Sequence, residues 1–191
     1  MKLVFATHNR NKFDEVKVLL PDFVELISLE SIGCVAEIAE TGATLKENAQ
    51  IKANYIYHTY GVSCFSDDTG LLVNALNGAP GVYSARYAGE QKDADANMTK
   101  LLRELAHKKD RAARFETVIA LNLKGNHHFF KGEVKGDITD YPSGNKGFGY
   151  DPIFRPEGFE KTFGELSLEI KNTMSHRARA MQQLISFLHT I

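Results

Sequence analysis

The stretch from Arg114 to Thr139 constrains this chain more than any other. Phe115, Thr117, Ile119, Leu121 and Leu123 fall on one face of an extended run, Lys124-Gly125-Asn126 turns the chain, and His127 to Thr139 returns as a second run. Period-two alternation leading into a short turn predicts a long antiparallel hairpin. The rest of the chain interleaves strands with helices. Leu3-Val4-Phe5-Ala6 reads as a short strand giving way at Asn9 to a helix, with Phe13, Val16 and Leu20 at helical spacing until Pro21. Phe23 to Leu29 reads as a second strand, and Ser31 to Gly42 as a loop carrying Glu37 and Glu40. Thr44 opens a long helix with Glu47 three residues on, the capping-box pattern, and its apolar stripe is Leu45, Ala49, Ala53, Ile56 and Tyr60. Val62 to Ser66 is a strand expected to stop at Asp67-Asp68-Thr69-Gly70. Leu71 to Leu76 and a Gly/Pro loop to Gly81 follow, then a helix from Asp93 to Ala106. A Gly-rich loop spans Pro142 to Gly149, and the last helix begins near Ser175 with Ala178, Met181, Leu184, Ile185 and Leu188 facing a core. Interleaved elements plus one antiparallel hairpin predict an α/β fold on a mixed sheet.

Composition narrows the function classes. The 191 residues suit one domain, or one domain of two lobes, and 43% are hydrophobic, enough for a buried core. A formal net charge of −1 gives no basic stripe for a nucleic acid or an anionic membrane. No apolar stretch approaches the roughly 20 residues of a membrane helix, and Leu3 to Ala6 is too short for a signal-peptide core. Two cysteines, Cys34 and Cys64, do not make a disulfide scaffold, so both are expected reduced and the cytoplasm is the expected compartment.

Five segments can carry chemistry. Thr7, His8, Asn9, Arg10, Asn11 and Lys12 lie where a strand ends and a helix begins, where free N–H groups favour anions and Lys12 adds charge. The same residues also fit an ordinary N-cap at Asn9. Lys52 falls between Ala49 and Ile56 on the apolar side of its helix, with Asn48 one turn before it. Such a lysine either snorkels to water or meets an anion. Asp67 and Asp68 are adjacent acids against an apolar strand, costly unless compensated, and hard enough for Mg²⁺ held together with a polyphosphate. One of them can also orient or deprotonate a water, although a polar turn fits the same residues. Phe148, between two glycines, is either a platform for a flat ring or a core anchor. Lys171 and then Ser175-His176-Arg177 put positive charge at a helix start, where a negative or carbonyl-rich partner would relieve the mismatch with the dipole. His127-His128 lack metal-ligand spacing, and Cys64 has no evident histidine partner.

Taken in order, Thr7-x-Asn9-x-x-Lys12, Glu40-Thr41-Gly42 with Glu47-Asn48-Ala49 and Lys52-Ala53, Asp67-Asp68-Thr69-Gly70, Gly78 to Tyr87, and Gly147 to Phe154 with Ser175-His176-Arg177 resemble the inosine triphosphate pyrophosphatase family. These enzymes clear deaminated purine nucleotides, and the resemblance spans nearly the whole chain. It implies a single two-lobed domain over residues 1–191: a long mixed central sheet flanked by helices, with a cleft between the lobes. It also implies Mg²⁺ dependence, a homodimer, and hydrolysis of ITP, dITP or XTP to the monophosphate and pyrophosphate. By matching position, Thr7 to Lys12 and Lys52 would hold the triphosphate, and Glu40 and Asp68 the magnesium. Asp68 would also accept the proton from water, and Thr69 would contact substrate. Phe148, Gly149, Tyr150, Asp151, Lys171, His176 and Arg177 would form the base pocket. Thr69 stands where a serine is common, and a glycine frequent after the first threonine is absent. The residues alone leave open whether Asp67 or Asp68 is the base. A Maf-like pyrophosphatase and a nucleotide sensor without turnover are the rival readings.

Overall fold

The computed structural model describes residues 1–191 and contains seven strands and five helices. In chain order these are β1 (Lys2–Phe5), α1 (Arg10–Leu19), β2 (Glu25–Ile27), α2 (Leu45–Tyr60), β3 (Cys64–Val73), β4 (Pro80–Gly81), α3 (Ala94–Leu105), β5 (Ala112–Leu123), β6 (Asn126–Ile138), β7 (Phe154–Pro156), α4 (Leu168–Met174) and α5 (His176–Leu188). The sheet runs β2-β1-β3-β5-β6-β7, with β4 paired to β3. β1 lies parallel to β2 and β3, whereas β4 and β7 pair antiparallel with β3 and β6. The fold is therefore a mixed α/β fold. The parallel pairs follow from helical crossovers between β1, β2 and β3, and β5–β6 is the antiparallel hairpin. Its turn is only two residues, Lys124 and Gly125, both at positive φ, which matches the twist of the flanking strands.

The chain divides into two compact units: residues 1–68, 117–132 and 177–191, and residues 69–116 and 133–176. In the first, Phe5, Val16, Phe65, Ile119, Met181 and Leu184 form one core, built with α1 and α5. Val4, Cys64, Ala120, Ala49, Ala53 and Ile56 form a second, built with α2. Val118 to Leu121 are all buried, because residues of opposite parity on β5 serve the two cores. In the second unit, Leu71, Leu101, Phe115, Ile138, Phe154 and Phe163 gather around α3.

Three expectations are corrected. The strand that was to end at Asp67 instead runs unbroken from Cys64 to Val73, so Asp67, Asp68, Thr69 and Gly70 are strand residues rather than a turn. The chain tolerates acids there because cations from α1, α2 and α5 compensate them. β2 is shorter than Phe23 to Leu29, with Phe23 exposed and Leu29 already in a helical turn. Lys171, assigned to no element by periodicity, lies on α4, a seven-residue helix capped by the Ser167 side chain on Ile170 N–H.

The α2 capping box is complete, with Thr44 accepting from Glu47 N–H and Glu47 accepting from Thr44 N–H. Thr44→Ala removes half of it and is expected to lower stability by about 1 kcal/mol, read as a drop in the urea midpoint at unchanged slope.

Candidate active site

Asp67 and Asp68 follow Phe5's sheet partner, Phe65, on β3, so they emerge just past the C-terminal end of β1, where α1 begins. Crevices beyond the carboxyl ends of parallel strands are where α/β sheets bind ligands. Adjacent strand residues face opposite sides of a sheet. Asp67 shares the side of Phe65, toward α1 and α5. Asp68 shares the side of Ser66, whose hydroxyl donates to Ala49 O on α2.

The two acids consequently differ in their partners. Lys12 Nζ donates to Asp67 Oδ1 at 2.9 Å, and Arg177 Nε donates to Asp67 Oδ2 at 2.9 Å. Arg177 also pairs through Nη1 with Glu15 Oε2. Burial would raise the Asp67 pKa, but Lys12 and Arg177 outweigh it and hold the carboxyl far below its ordinary range. Asp68 lies 3.5 Å from Lys52 Nζ through Oδ1, and Lys52 also donates to Glu40 Oε1. Burial raises the Asp68 pKa, Lys52 and Lys12 pull it back, and the net shift is upward. Asp68 Oδ2 and the amide nitrogen of Asn48 are both buried with no hydrogen bond of normal geometry, although the amide lies near enough to Asp68 to favour its charged form. Asn48 Oδ1 meanwhile accepts from Gly42 N–H at 2.8 Å, which anchors the loop that carries Glu40.

These residues fit a hard divalent cation. A buried carboxylate oxygen with no donor is the feature such an ion satisfies, and Glu40 and Asp68 meet at one lysine. Two carboxylates suit Mg²⁺, which keeps several waters and shares substrate phosphate oxygens.

At the start of α1, Thr7 Oγ1 accepts from Asn9 N–H, and Asn9 caps the helix through Lys12 N–H. Helix geometry leaves the N–H groups of Arg10 and Asn11 without intrahelical partners. The side chains of this segment diverge. Lys12 joins the acids, His8 Nε2 contacts Ala36 O at 2.9 Å, and Arg10 pairs with Asp14 on the surface, away from Asp67.

The second unit holds a different group. Asp151 Oδ2 accepts from Phe148 N–H at 2.8 Å and from Lys171 Nζ at 2.6 Å. The Lys171 ammonium lies 5.1 Å from the Phe148 ring centre and 5.4 Å from that of Phe163. Gly147 has a φ of +73°, and a Cβ there would stand 2.0 Å from Asp151 Oδ2, so only glycine permits this turn. His176 stacks on Phe115 with ring centres 4.6 Å apart. Thr69 is half-buried on β3, Gly149 continues the loop, and Tyr150 is buried with its hydroxyl donated to Ser84 O at 2.8 Å.

Two residues of the expected base pocket, Arg177 and Tyr150, hydrogen-bond to the protein itself. Arg177 is only 1% exposed, and its guanidinium pairs with Glu15 and Asp67. Its neighbour His176 points away because consecutive helix residues diverge by about 100°. Tyr150 presents its hydroxyl to backbone rather than to a ligand. Glu15 escaped notice in the sequence. Its one signal is its spacing of three from Lys12, which puts both on one face of α1.

With Asp67 between two cations, folding holds its carboxyl below the unfolded value. The stability this gives is complete above the unfolded pKa of about 4 and is lost as pH falls through the folded value. Asp67→Asn is expected to cost about 3–5 kcal/mol at pH 7. Urea midpoints for variant and parent should begin to approach each other as pH falls below about 4 and meet only near the folded value.

Comparison with known proteins places this arrangement. The sequence profile of the Ham1 family matches residues 3–187. A dITP/XTP pyrophosphatase of Flavobacterium johnsoniae is 57% identical over 188 residues, 98% of each chain. One of Porphyromonas gingivalis is 50% identical over 188 residues, 98% of this chain and 97% of the relative. The solved structure of the Staphylococcus aureus Ham1 protein superposes with a TM-score of 0.90 at 41% identity, covering 100% of this chain and 99% of that one. A HAM1 protein from Coxiella burnetii gives 0.91 at 38%, covering both chains completely. Matched by the family profile along nearly its full length, this chain belongs to the Ham1 family.

Proposed function

We propose that this chain is a dITP/XTP pyrophosphatase that hydrolyses non-standard purine nucleoside triphosphates (ITP, dITP and XTP) to the monophosphate and pyrophosphate. The observation that carries the reading is the contrast between the adjacent acids. Asp67 is locked as a carboxylate between Lys12 and Arg177, whereas Asp68 has a raised pKa and an oxygen left open. A deeply depressed carboxylate is a weak proton acceptor, so Asp68 is assigned as the general base and Asp67 as the anchor for Lys12. The relatives carry the name dITP/XTP pyrophosphatase, and that name matches this chemistry.

Asp68 accepts a proton from the attacking water as the water oxygen bonds to phosphorus and the bridging bond between the α- and β-phosphates breaks. Lys12 and Lys52 offset the charge that gathers on the leaving pyrophosphate. The N–H groups at the start of α1, with Thr7 and Asn9, bind phosphate oxygens. Glu40 and Asp68 would hold Mg²⁺, which would supply neutralisation of phosphate charge and a more acidic water. In the second unit, Phe148 stacks on the base while Lys171 and His176 offer donors to its 6-oxo group, with Thr69 as a further substrate contact. An adenine amino group would set a donor against these donors, which disfavours ATP. The enzyme works as a cytoplasmic homodimer. No helix is long and apolar enough to cross a membrane.

The test is pyrophosphate release from dITP, XTP, dGTP and dATP, with and without Mg²⁺. Turnover of dITP and XTP, little with dATP, and loss on chelation with recovery on adding Mg²⁺ are expected. Asp68→Asn should lower kcat by about 10²–10⁴. An Asp68→Asn enzyme as fast as its parent, or a preference for dATP, would overturn the assignment.

A further inference from the structure

The segment from Gly81 to Ala88 has no place in the chemistry above, yet it is held from several sides. Ser84, almost fully buried, accepts Leu71 N–H at 2.9 Å through Oγ and donates the same hydroxyl to Gly81 O at 2.6 Å. α3 clamps the segment further along, where Asn97 Oδ1 accepts Ala88 N–H at 2.6 Å and Asn97 Nδ2 donates to Ala85 O at 3.0 Å. The Ser84 carbonyl is thus fixed before anything binds it, and its partner is the Tyr150 hydroxyl, at 2.8 Å. Tyr150 sits between Phe148-Gly149 and Asp151, the residues whose backbone and side chains make the base loop. Its ring packs in the apolar core of the second unit, which supplies burial but no direction. The hydroxyl supplies the direction.

We propose that Ser84 and Tyr150 are a positioning pair for base selection, in which the fixed Ser84 carbonyl holds the Tyr150 hydroxyl and thereby sets the 147–151 loop. The base-selection role rests on the function proposed above, and the bracing role does not. Neither residue touches the nucleotide. Both act through Phe148 and Asp151, and the loss of one neutral hydrogen bond frees the loop by a small factor rather than unfolding it.

Tyr150→Phe deletes one oxygen and keeps the ring in the core. Two readouts are taken beside a control, Tyr141→Phe, which alters an exposed tyrosine of the same unit. Hydrogen exchange of the Phe148 and Asp151 amides needs no substrate. Both amides are hydrogen-bonded within the loop, and Tyr150→Phe should speed their exchange about fivefold while the control does not. In steady-state assays, Tyr150→Phe should raise KM for dITP about 3–10-fold and narrow the dITP over dGTP preference, with the loss falling on KM more than on kcat. Ser84→Thr, which keeps the hydroxyl, should retain both properties, whereas Ser84→Ala keeps the carbonyl that accepts Tyr150 but loosens it, so its change should run in the same direction as that of Tyr150→Phe and be smaller. Unaltered exchange in Tyr150→Phe overturns the brace. Faster exchange with unaltered KM and preference overturns its role in base selection, as does a lowered melting temperature as the sole effect. Failure of the parent enzyme to release pyrophosphate from dITP would strike the function reading instead, and the exchange measurement would still decide the brace.

Discussion

Burial of the Asp67 carboxylate between Lys12 and Arg177 is the interaction on which the rest of the first unit depends. Its three participants come from α1, β3 and α5, so one carboxylate fixes two helices against the strand. Burying charges is expensive unless they are matched, and here they match: Lys12 and Arg177 against Asp67 and Glu15, two charges of each sign. Lys52, by contrast, faces two acids, Glu40 and Asp68, which leaves that group one negative charge in excess. The excess sits beside the buried Asp68 oxygen that accepts no hydrogen bond. A balanced quartet beside an unbalanced trio explains why the two aspartates, identical in chemistry and adjacent in sequence, shift in opposite directions. The quartet balances its charges and holds Asp67 as a carboxylate.

The division of labour depends on a strand passing through the acids. In a turn, Asp67 and Asp68 could have faced the same way and repelled each other. On β3 their side chains leave on opposite sides, and each meets its own lysine from its own helix. Their backbone groups stay in the sheet, so carboxylate positions are fixed by strand geometry rather than by loop conformation. A site carried on a rigid element loses less free energy to ordering when substrate arrives.

The legible parts of this molecule are those in which the signal lies within a few residues. The capping box of α2 needs only Thr44 and Glu47, and the β5–β6 hairpin needs alternation and a turn with glycine. The ordered motifs were enough to point to the family. What the sequence hid are relations over long separations. Two adjacent acids read as a strand end because nothing beside them in sequence compensates them, yet the cations of Asp67 lie 55 and 110 residues away. Arg177 read as positive charge at a helix start, and only the fold shows that Glu15, 162 residues away, pairs with its guanidinium. α4 is too short for a periodic stripe to reveal.

The group in the second unit solves a different electrostatic problem. A buried lysine is a strong donor but a costly one to leave unmatched. Asp151 matches it, while the rings of Phe148 and Phe163 present their electron-rich faces to the same ammonium. The carboxylate that neutralises Lys171 also accepts Phe148 N–H, so the charge balance of the lysine and the position of the aromatic platform are set by one side chain. Changing either the charge or the platform therefore disturbs both. That coupling explains why the turn demands glycine at 147: the space a Cβ would take is occupied by the oxygen that makes both bonds.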